Sequence, residues 1–204
     1  MDGQGVIYIA YGANARNQTQ QSIGSLRRFH DWPIVVVSGQ GGFKGVSHIA
    51  FQVMDSGARW AKVNLDKLTP FDLTLYCDAD TRIEGDLSVG FEILQDGWEL
   101  VITPSQNQDE EVLWHCSESD KWATFEEYGT SDILQLQGGL FWFRKCDAIA
   151  RFFEAWRDEW EKFKEQDQGA LLRALRRAPV KMWLMGRDWN GGKIVKHLWG
   201  QARQ

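Results

Sequence analysis

The stretch Phe71-Asp72-Leu73-Thr74-Leu75-Tyr76-Cys77-Asp78-Ala79-Asp80-Thr81 decides how the rest of the chain is interpreted. Its apolar part, Leu73 to Cys77, is flanked by turn-forming residues, a pattern that predicts a buried strand. Two carboxylates, Asp78 and Asp80, follow the strand directly, and the two-residue period of extended chain places both side chains on one side. Because ligands of open α/β sheets bind at the carboxyl ends of strands, we expect these carboxylates at a ligand site.

Two carboxylates this close together repel each other unless a cation neutralises them. A hard divalent ion, Mg²⁺ or Mn²⁺, prefers oxygen ligands and commonly also binds substrate phosphates. An Asp-x-Asp pair is equally typical of a solvated turn, because Asp is common at turns. The pair by itself therefore leaves a metal site and a solvated turn open.

Composition limits the class of protein. The 204 residues predict a single domain, and the hydrophobic content of 43% and charged content of 25% are ordinary for a globular chain. The three cysteines, Cys77, Cys116 and Cys146, show no Cys-x-x-Cys spacing, which argues against a disulfide framework or a zinc site and for a reducing compartment. No apolar run is long enough to span a bilayer. We therefore expect a cytoplasmic protein without a membrane span.

The charge is unevenly distributed along the chain. Residues 169–204 contain eight Lys and Arg against one Asp, a balance of +7, whereas the whole chain carries a net charge of −5. A basic segment on an acidic body predicts an anionic ligand there. The same charges fit a solvated helix face equally well.

Strand and helix patterns alternate along the chain. A strand at 5–11, a helix at 15–29 and a strand at 34–37 predict a right-handed parallel crossover. The later elements are predicted as a strand at 49–53, helices at 56–68 and 85–95, strands at 98–103 and 135–143, helices at 147–164 and 170–177, and a short strand at 194–199. Residues 105–132 predict an irregular or helical insertion over the sheet edge, and residues 183–192 predict a loop. This alternation predicts an α/β fold with a mostly parallel central sheet flanked by helices.

Further candidate site residues follow from these elements. The loops after the first two strands open on the same sheet edge, where Tyr11, Gly12 and Ser38 can hold a nucleotide. Arg59 and Lys62 lie on the helix before the central strand and can reach a phosphate, although a solvated helix face is the better explanation of either one taken singly. The pair Gly138-Gly139 precedes an apolar strand and predicts close backbone approach to a ligand or to another strand.

Taken in order, these motifs resemble the GT-A-fold nucleotide-diphospho-sugar transferases, particularly the glycosyltransferase family 8-like group. The resemblance covers roughly residues 5–200. The matching motifs are Tyr11-Gly12, Arg59-Trp60-Ala61-Lys62, Tyr76-Cys77-Asp78-Ala79-Asp80, Gln137-Gly138-Gly139, Asp167-Gln168, Trp189-Asn190 and His197. The resemblance implies one GT-A-type nucleotide-binding sandwich, with a nucleotide- and metal-binding half at 1–103 and an acceptor and donor-sugar half at 104–204.

The resemblance also implies a role for each matching residue. Asp78, Asp80 and His197 would bind Mn²⁺ or Mg²⁺, although a lone histidine is equally typical of a core or surface position. The implied catalytic residues are Asp167, Gln168 and Gln137. The implied donor contacts are Tyr11 and Gly12 with base and ribose, Arg59 or Lys62 with phosphate or sugar, Gly138 and Gly139 with the donor, and Lys193 or Lys196 with the leaving diphosphate. Two departures from the family pattern are Gln137, at an Asn-like position, and the incomplete pattern His197-Leu198-Trp199-Gly200.

The activity that the resemblance implies is metal-dependent transfer of a sugar from a nucleotide-diphosphate sugar, a UDP-sugar, to a hydroxyl acceptor, with retention of configuration. An inverting enzyme would need a carboxylate base, for which Asp132, Asp167 and the pair Glu126-Glu127 are candidates. Two other classes stay open. One is a sugar-phosphate nucleotidyltransferase, although the segment 11–16 is a poor match to its nucleotide loop, and the other is an inactive binding protein on the same fold.

The acceptor is the least specified partner. A saccharide is the default, with residues 105–132 and the basic C-terminal segment as its walls. A modified base in DNA is a minority hypothesis, because the charges of Arg173, Arg176 and Arg177 suit a polyanion, whereas the chain is acidic and carries no nucleic-acid motif.

Overall fold

The computed structural model of the chain describes residues 3–51, 57–105 and 111–200. Its strands are β1 (Gln4–Ile9), β2 (Ile34–Ser38), β3 (Ser47–Ala50), β4 (Leu73–Cys77), β5 (Thr81–Ile83), β6 (Leu100–Pro104), β7 (Leu136–Arg144), β8 (Met182–Leu184) and β9 (Val195–His197). Its helices are α1 (Ala13–Leu26), α2 (Gly57–Lys62), α3 (Leu65–Leu68), α4 (Ser88–Gln95), α5 (Glu118–Tyr128), α6 (Asp147–Glu161) and α7 (Gln168–Arg177), with a 3-10 turn at Arg187–Trp189.

Seven strands form the central sheet in the order β3-β2-β1-β4-β7-β6-β8. Strand β7 is antiparallel to both of its neighbours, and the other pairings are parallel. The expectation of a mostly parallel α/β sheet is therefore confirmed, as is the parallel pairing of the first two strands around α1. The strands β1, β2 and β4 are nearly continuous apolar runs because helices cover the sheet on both faces.

Alternate residues of each strand enter separate apolar clusters on the two faces. On one face, Ile7 belongs to the cluster that contains Trp156 of α6, and on the other Tyr8 belongs to the cluster that contains Ile23 of α1 and Phe91 of α4. This follows from the two-residue period of a strand. The helix predicted at 147–164 corresponds to α6, whose buried Phe152, Phe153, Trp156 and Trp160 belong to this core.

Two predicted elements differ from the structure. Residues 183–184 of the predicted loop belong to β8, because this strand pairs with the sheet edge at β6, a contact that local sequence does not show. The helix predicted at 56–68 is divided into α2 and α3, where the Asn64 side chain donates to the Trp60 carbonyl at 2.8 Å. The insertion at 105–132, predicted as irregular or helical, contains the helix α5. Residues 52–53 of the predicted third strand, Ser56, 106–110 of the insertion and Arg203 lie outside the described residues.

The DNA hypothesis requires Arg173 on a basic surface, but Arg173 is buried. Its guanidinium is 2% exposed and lies 2.6 Å from Asp120 of α5 and 2.8 Å from Glu159 of α6. Arg177 also pairs with Glu159, at 2.5 Å. These pairs fix α5, α6 and α7 to one another, so part of the positive charge of residues 169–204 is neutralised inside the protein.

A small two-stranded sheet joins the C-terminal segment to the strand that carries the carboxylates. Strands β5 and β9 are antiparallel, with Thr81 opposite His197. This register brings His197 beside Asp80, although 116 residues separate Thr81 from His197. No helix within the described ranges is long and apolar enough to cross a membrane.

Candidate active site

A cavity of about 930 Å³ lies at the edge of the central sheet where β1, β4 and β6 end and β7 begins. Residues from both halves of the chain line it. The lining includes the side chains of Tyr11, Arg59, Lys62, Tyr76, Asp78, Asp80, Trp114, His115, Gln135, Gln137, Asp167, Gln168, His197 and Trp199. This is the strand edge at which the sequence predicts a ligand site.

Asp78, Asp80 and His197 form a compact cluster of possible metal ligands, with one ligand atom of each within 4.8 Å of the others. Asp78 follows β4, and Asp80 precedes β5, whose pairing with β9 supplies the histidine. His197 Nε2 lies 3.1 Å from Asp80 Oδ1 and 3.8 Å from Asp78 Oδ2. The structure thus brings together the three side chains that the sequence proposes as metal ligands.

The hydrogen bonds around His197 suit a metal ligand. Its Nδ1 lies 2.8 Å from Oδ1 of the buried Asn190, which accepts the Nδ1 proton, and its Nε2 faces the two carboxylates and is the nitrogen that would bind a metal. Burial raises the pKa of Asp80, but the hydrogen bond and charge of His197 outweigh it and lower that pKa to about 2. Three converging electron-pair donors, two of them anionic, fit a hard divalent cation.

Gly139, one of the two glycines near the beginning of β7, lies directly behind the ligand cluster. A Cβ atom at this position would lie 2.3 Å from His197 Cε1 and 2.8 Å from Asp78 Oδ2, so only glycine fits behind the cluster. The Gly139 carbonyl also accepts the Asp78 N–H at 2.7 Å. The predicted close backbone approach is therefore an approach to the ligand cluster itself.

Lys62 lies between two carboxylates of the cavity. Its Nζ is 3.1 Å from Asp78 Oδ1 and 3.1 Å from Asp167 Oδ2, and Arg59 Nε is 3.5 Å from Asp167 Oδ1. Burial opposes the charge of Lys62, but Asp167 and Asp78 outweigh burial and raise its pKa. Burial likewise raises the pKa of Asp167, whereas the charges of Lys62 and Arg59 lower it overall. Lys62 and Asp167 are therefore both charged at neutral pH.

Two glutamines lie next to this ion pair. Gln168 begins α7, and its Nε2 donates to Gln137 Oε1 at 3.3 Å. A Cβ atom on Gly138 would lie 3.2 Å from Asp167 Oδ2, so the beginning of β7 packs closely against the pair Asp167-Gln168. The three residues proposed as catalytic thus form one group on the wall of the cavity.

Tyr11 and Gly12 line the opposite end of the cavity, at the β1–α1 connection. The φ angle of Gly12 is 84°, a region that favours glycine, and α1 begins there without a side-chain cap. The Tyr11 hydroxyl donates to the Phe51 carbonyl at 2.6 Å, and burial raises the pKa of Tyr11 to about 12. The tyrosine is therefore held in place as a neutral phenol.

Several of the proposed donor contacts are absent from the described lining of the cavity: Ser38, Gly138, Gly139, Lys193 and Lys196. Ser38 is buried at the end of β2, one strand farther from β4 than β1, and its hydroxyl donates to the Gln40 carbonyl at 2.6 Å. Lys196 is exposed on β9 and lies 3.7 Å from Glu84. Because it neighbours His197 on a strand, its side chain points to the other side.

Several other residues of the site carry no predicted role. The Tyr76 hydroxyl donates to Asp78 Oδ1, a contact that the two-residue strand period could have indicated. Asn190 and the Gly200 N–H, which donates to Asp80 Oδ2 at 2.8 Å, come from a segment that had no secondary-structure pattern. Trp114 and Trp199 are half-exposed indoles in the cavity, and neither follows a periodic pattern.

Solved structures with the same architecture are glycosyltransferases. Mouse xyloside xylosyltransferase 1 is 12% identical over 93% of this chain and 87% of its own, with a TM-score of 0.63. The galactosyltransferase LgtC, solved with donor and acceptor sugar analogs, is 14% identical over 93% of this chain and 75% of its own, with a TM-score of 0.61.

The chain has the GT-A fold of nucleotide-sugar transferases. The bifunctional glycosyltransferase WbbM shares this fold, with 14% identity over 92% of this chain, a TM-score of 0.68 and 39% of its own length covered. No protein-family model matches the chain, and no curated protein matches it in sequence. The predicted fold is therefore confirmed by structural likeness.

Proposed function

We propose that this protein is a metal-dependent glycosyltransferase that moves a sugar from a nucleotide-diphosphate sugar, a UDP-sugar, to a hydroxyl acceptor. The observation that carries the proposal is the cluster of Asp78, Asp80 and His197 in a large cavity beside the cations Lys62 and Arg59. Glycosyl transfer leaves negative charge on the departing diphosphate, and a Mn²⁺ or Mg²⁺ ion bound by the cluster would supply the positive charge that stabilises it.

Residues of the chain hold the sugar and the nucleoside of the donor in the cavity. In the transfer, the acceptor oxygen forms a bond to the anomeric carbon while the bond from that carbon to the diphosphate oxygen breaks. The electron pair leaves with the nucleoside diphosphate, and the hydroxyl proton passes to that product or to solvent. Asp167, Gln168 and Gln137 lie together on one wall, where carboxylate and amide groups can fix sugar hydroxyls. Tyr11 and Gly12 provide the nucleoside end.

We infer retention of configuration from the carboxylates around the cavity. An inverting mechanism needs a carboxylate base at the acceptor hydroxyl. Among the described lining residues the acids are Asp78, Asp80 and Asp167, of which the first two belong to the metal cluster and the third is paired with Lys62 and Arg59. Asp132, Glu126 and Glu127, the other candidate bases, are exposed and absent from the described cavity lining. NMR of the product's anomeric proton tests this inference, which an inverted product would refute.

A thermal-shift screen tests the function itself. UDP-, GDP-, CDP- and TDP-sugars are each added with and without Mn²⁺ to the wild type, to Asp80→Ala and to the exposed control Asp31→Ala. Because a ligand that binds the folded state raises the melting temperature, we expect a Mn²⁺-dependent shift with UDP-sugars in the wild type and control, and none in Asp80→Ala. The absence of a shift with every donor would contradict the proposal.

Product analysis separates the remaining classes. Release of free nucleoside diphosphate from a sugar nucleotide supports glycosyl transfer. Pyrophosphate formed from a nucleoside triphosphate and a sugar phosphate would instead establish a nucleotidyltransferase, and donor binding without turnover would indicate an inactive binding protein.

A further inference from the structure

The cavity presents one large aromatic surface that the metal cluster and the donor contacts do not use. Trp114 is 56% exposed and lines the cavity. The aromatic contact described for it is T-shaped, with His115, at 5.6 Å between ring centroids and 72° between planes. Trp199, the other exposed indole of the cavity, is stacked on His197 at 3.9 Å and 18°. Trp199 therefore packs on His197 of the metal cluster, whereas the exposed indole of Trp114 is available to a ligand.

The backbone around Trp114 displays the indole at a conformational cost. The preceding Leu113 is 0% exposed and has a φ angle of 58°, a region that L residues with large side chains rarely adopt. Its N–H donates to the buried Gln135 Oε1 at 2.8 Å, and its carbonyl accepts the Cys116 N–H at 2.9 Å. A buried, hydrogen-bonded and strained leucine thus turns the next side chain out of the core, as is typical of functional positions.

The order of the strands places Trp114 at the end of the cavity away from the proposed nucleoside contacts. Leu113 is bound to Gln135, which also accepts the Ser105 N–H at 2.8 Å where β6 ends. The strands β4 and β7 separate β6 from β1, which leads to Tyr11. At about 4.8 Å per strand, this end lies roughly 14 Å from the β1 end, with the metal cluster after β4 between them.

Polar, uncharged side chains line the same cavity as the indole. Gln135, Gln137, Gln168 and Ser105 offer amide and hydroxyl groups there, and Gln135 is bound to the preceding Leu113. An apolar ring face in a cavity with hydrogen-bonding groups suits a pyranose, which has an apolar face of C–H groups and a rim of hydroxyls. None of these four side chains carries the positive charge that an anionic acceptor would need.

We propose that Trp114 is the stacking platform of an acceptor subsite and that the acceptor is a neutral saccharide whose pyranose ring lies against the exposed indole. This inference rests on the proposed function, because the acceptor hydroxyl must face a donor sugar held near Asp167 and Gln168. It also replaces the open choice of acceptor with one chemical class.

The test compares Trp114→Ala with the matched variant Trp122→Ala. Trp122 is 60% exposed on α5, contacts Phe125 edge-on and is absent from the described lining of the cavity. Nucleoside diphosphate release from the active UDP-sugar is measured with Mn²⁺ and a panel of neutral acceptors: methyl β-glucoside, methyl β-galactoside, methyl β-xyloside, lactose, cellobiose and maltose. Methyl β-glucuronide is the anionic counterpart. Saturation-transfer NMR of the same glycosides with Mg²⁺ measures their binding without turnover.

We expect a neutral glycoside to accelerate release, Trp114→Ala to raise its KM at least fivefold while the donor KM changes less than twofold, and Trp122→Ala to match the wild type. The glucuronide should neither accelerate release nor show saturation transfer. The inference is overturned if Trp114→Ala leaves the acceptor KM unchanged, if it raises the donor KM instead, or if no neutral glycoside shows saturation transfer. If donor turnover is absent but a neutral glycoside binds and loses its NMR signal in Trp114→Ala, the subsite stands and the proposed activity fails.

Discussion

The ammonium nitrogen of Lys62 lies 3.1 Å from Oδ1 of Asp78, so a cation of the chain itself is paired with a carboxylate of the proposed metal cluster. The same nitrogen lies 3.1 Å from Asp167. Lys62 therefore connects the metal cluster to the wall that carries the catalytic candidates. A charged ligand that binds in the cavity must therefore fit the charges of Lys62, Asp78 and Asp167.

Replacing Lys62 by Met should leave the buried Asp167 and the partly buried Asp78 without their shared cation. Removing one partner of a buried ion pair costs about 3 kcal/mol or more, which in a chain of this size lowers the melting temperature by roughly 6–12 °C. Mn²⁺ should raise the melting temperature of Lys62→Met by more than that of the wild type, because the ion replaces the positive charge that the substitution removes from beside Asp78. Thermal melts with EDTA and with Mn²⁺ measure both effects. The exposed Lys67→Met is the control, and equal Mn²⁺ shifts in all three proteins would contradict the role of Lys62.

Replacing Gly139 by Ala should weaken metal binding without changing any ligand residue. The added Cβ would lie 2.3 Å from His197 Cε1, so the ring or the strand must move. We expect the Mn²⁺ affinity measured by titration calorimetry to fall at least tenfold, since ligand position controls affinity to this degree. Gly24→Ala is a suitable control because nothing lies within 4 Å of its Cβ and helix α1 gains up to about 1 kcal/mol from the change. Unaltered Mn²⁺ affinity in Gly139→Ala would show that His197 is not a ligand.

Replacing Asn190 by Ala should also reduce Mn²⁺ affinity, by about 10- to 100-fold, because the side chain that fixes the His197 tautomer is lost. Asn190→Asp should retain more affinity than Asn190→Ala, since a carboxylate still accepts the Nδ1 proton. Calorimetric titration of both variants measures the difference. The same affinity in the wild type and Asn190→Ala would indicate that Asn190 is structural only.

Acid should remove the stabilisation that Asp80 contributes. Its pKa of about 2 in the folded protein lies below the ordinary value of 3.8, so the contribution is fully present above about pH 4 and is lost as the pH falls toward 2. The difference in unfolding free energy between the wild type and Asp80→Asn should be on the order of 2 kcal/mol at pH 6 and should close by pH 2. Urea unfolding in EDTA measures it, with Asp31→Asn as the exposed control. A difference that is independent of pH would contradict the ion pair with His197.

Replacing Arg173 by Met should destabilise the protein, because the buried Asp120 would lose its counter-ion and the buried Glu159 would lose one of its three cations, keeping Arg177 and Lys162. The expected loss is about 3–5 kcal/mol of unfolding free energy, whereas the exposed Arg176→Met should change it by less than about 0.5 kcal/mol. Urea unfolding compares the two variants. Similar stabilities would show that the buried network does not fix α5, α6 and α7.

Local sequence was sufficient for the features that depend on near neighbours. The strand before Asp78 is an apolar run bounded by turn formers, and strand period alone puts Asp78 and Asp80 at its carboxyl end. The alternation of strands and helices was enough to predict a mostly parallel α/β sheet. The order of motifs, from Tyr11-Gly12 to His197, was enough to indicate the GT-A fold and to propose the three ligands that converge in the cavity.

Tertiary structure decided the features that depend on contacts between distant segments. The pairing of β5 with β9 sets which face of β9 meets Asp80, and therefore directs His197 inward and Lys196 outward. Burial and pairing turned Arg173 from a surface charge into a core charge, and pairing with β6 made a strand of residues 182–184. The display of Trp114 depends on a strained Leu113 bound to Gln135, 22 residues away. Propensity and periodicity describe a residue and its neighbours, whereas these outcomes are set by which strand, carboxylate or amide the fold brings alongside.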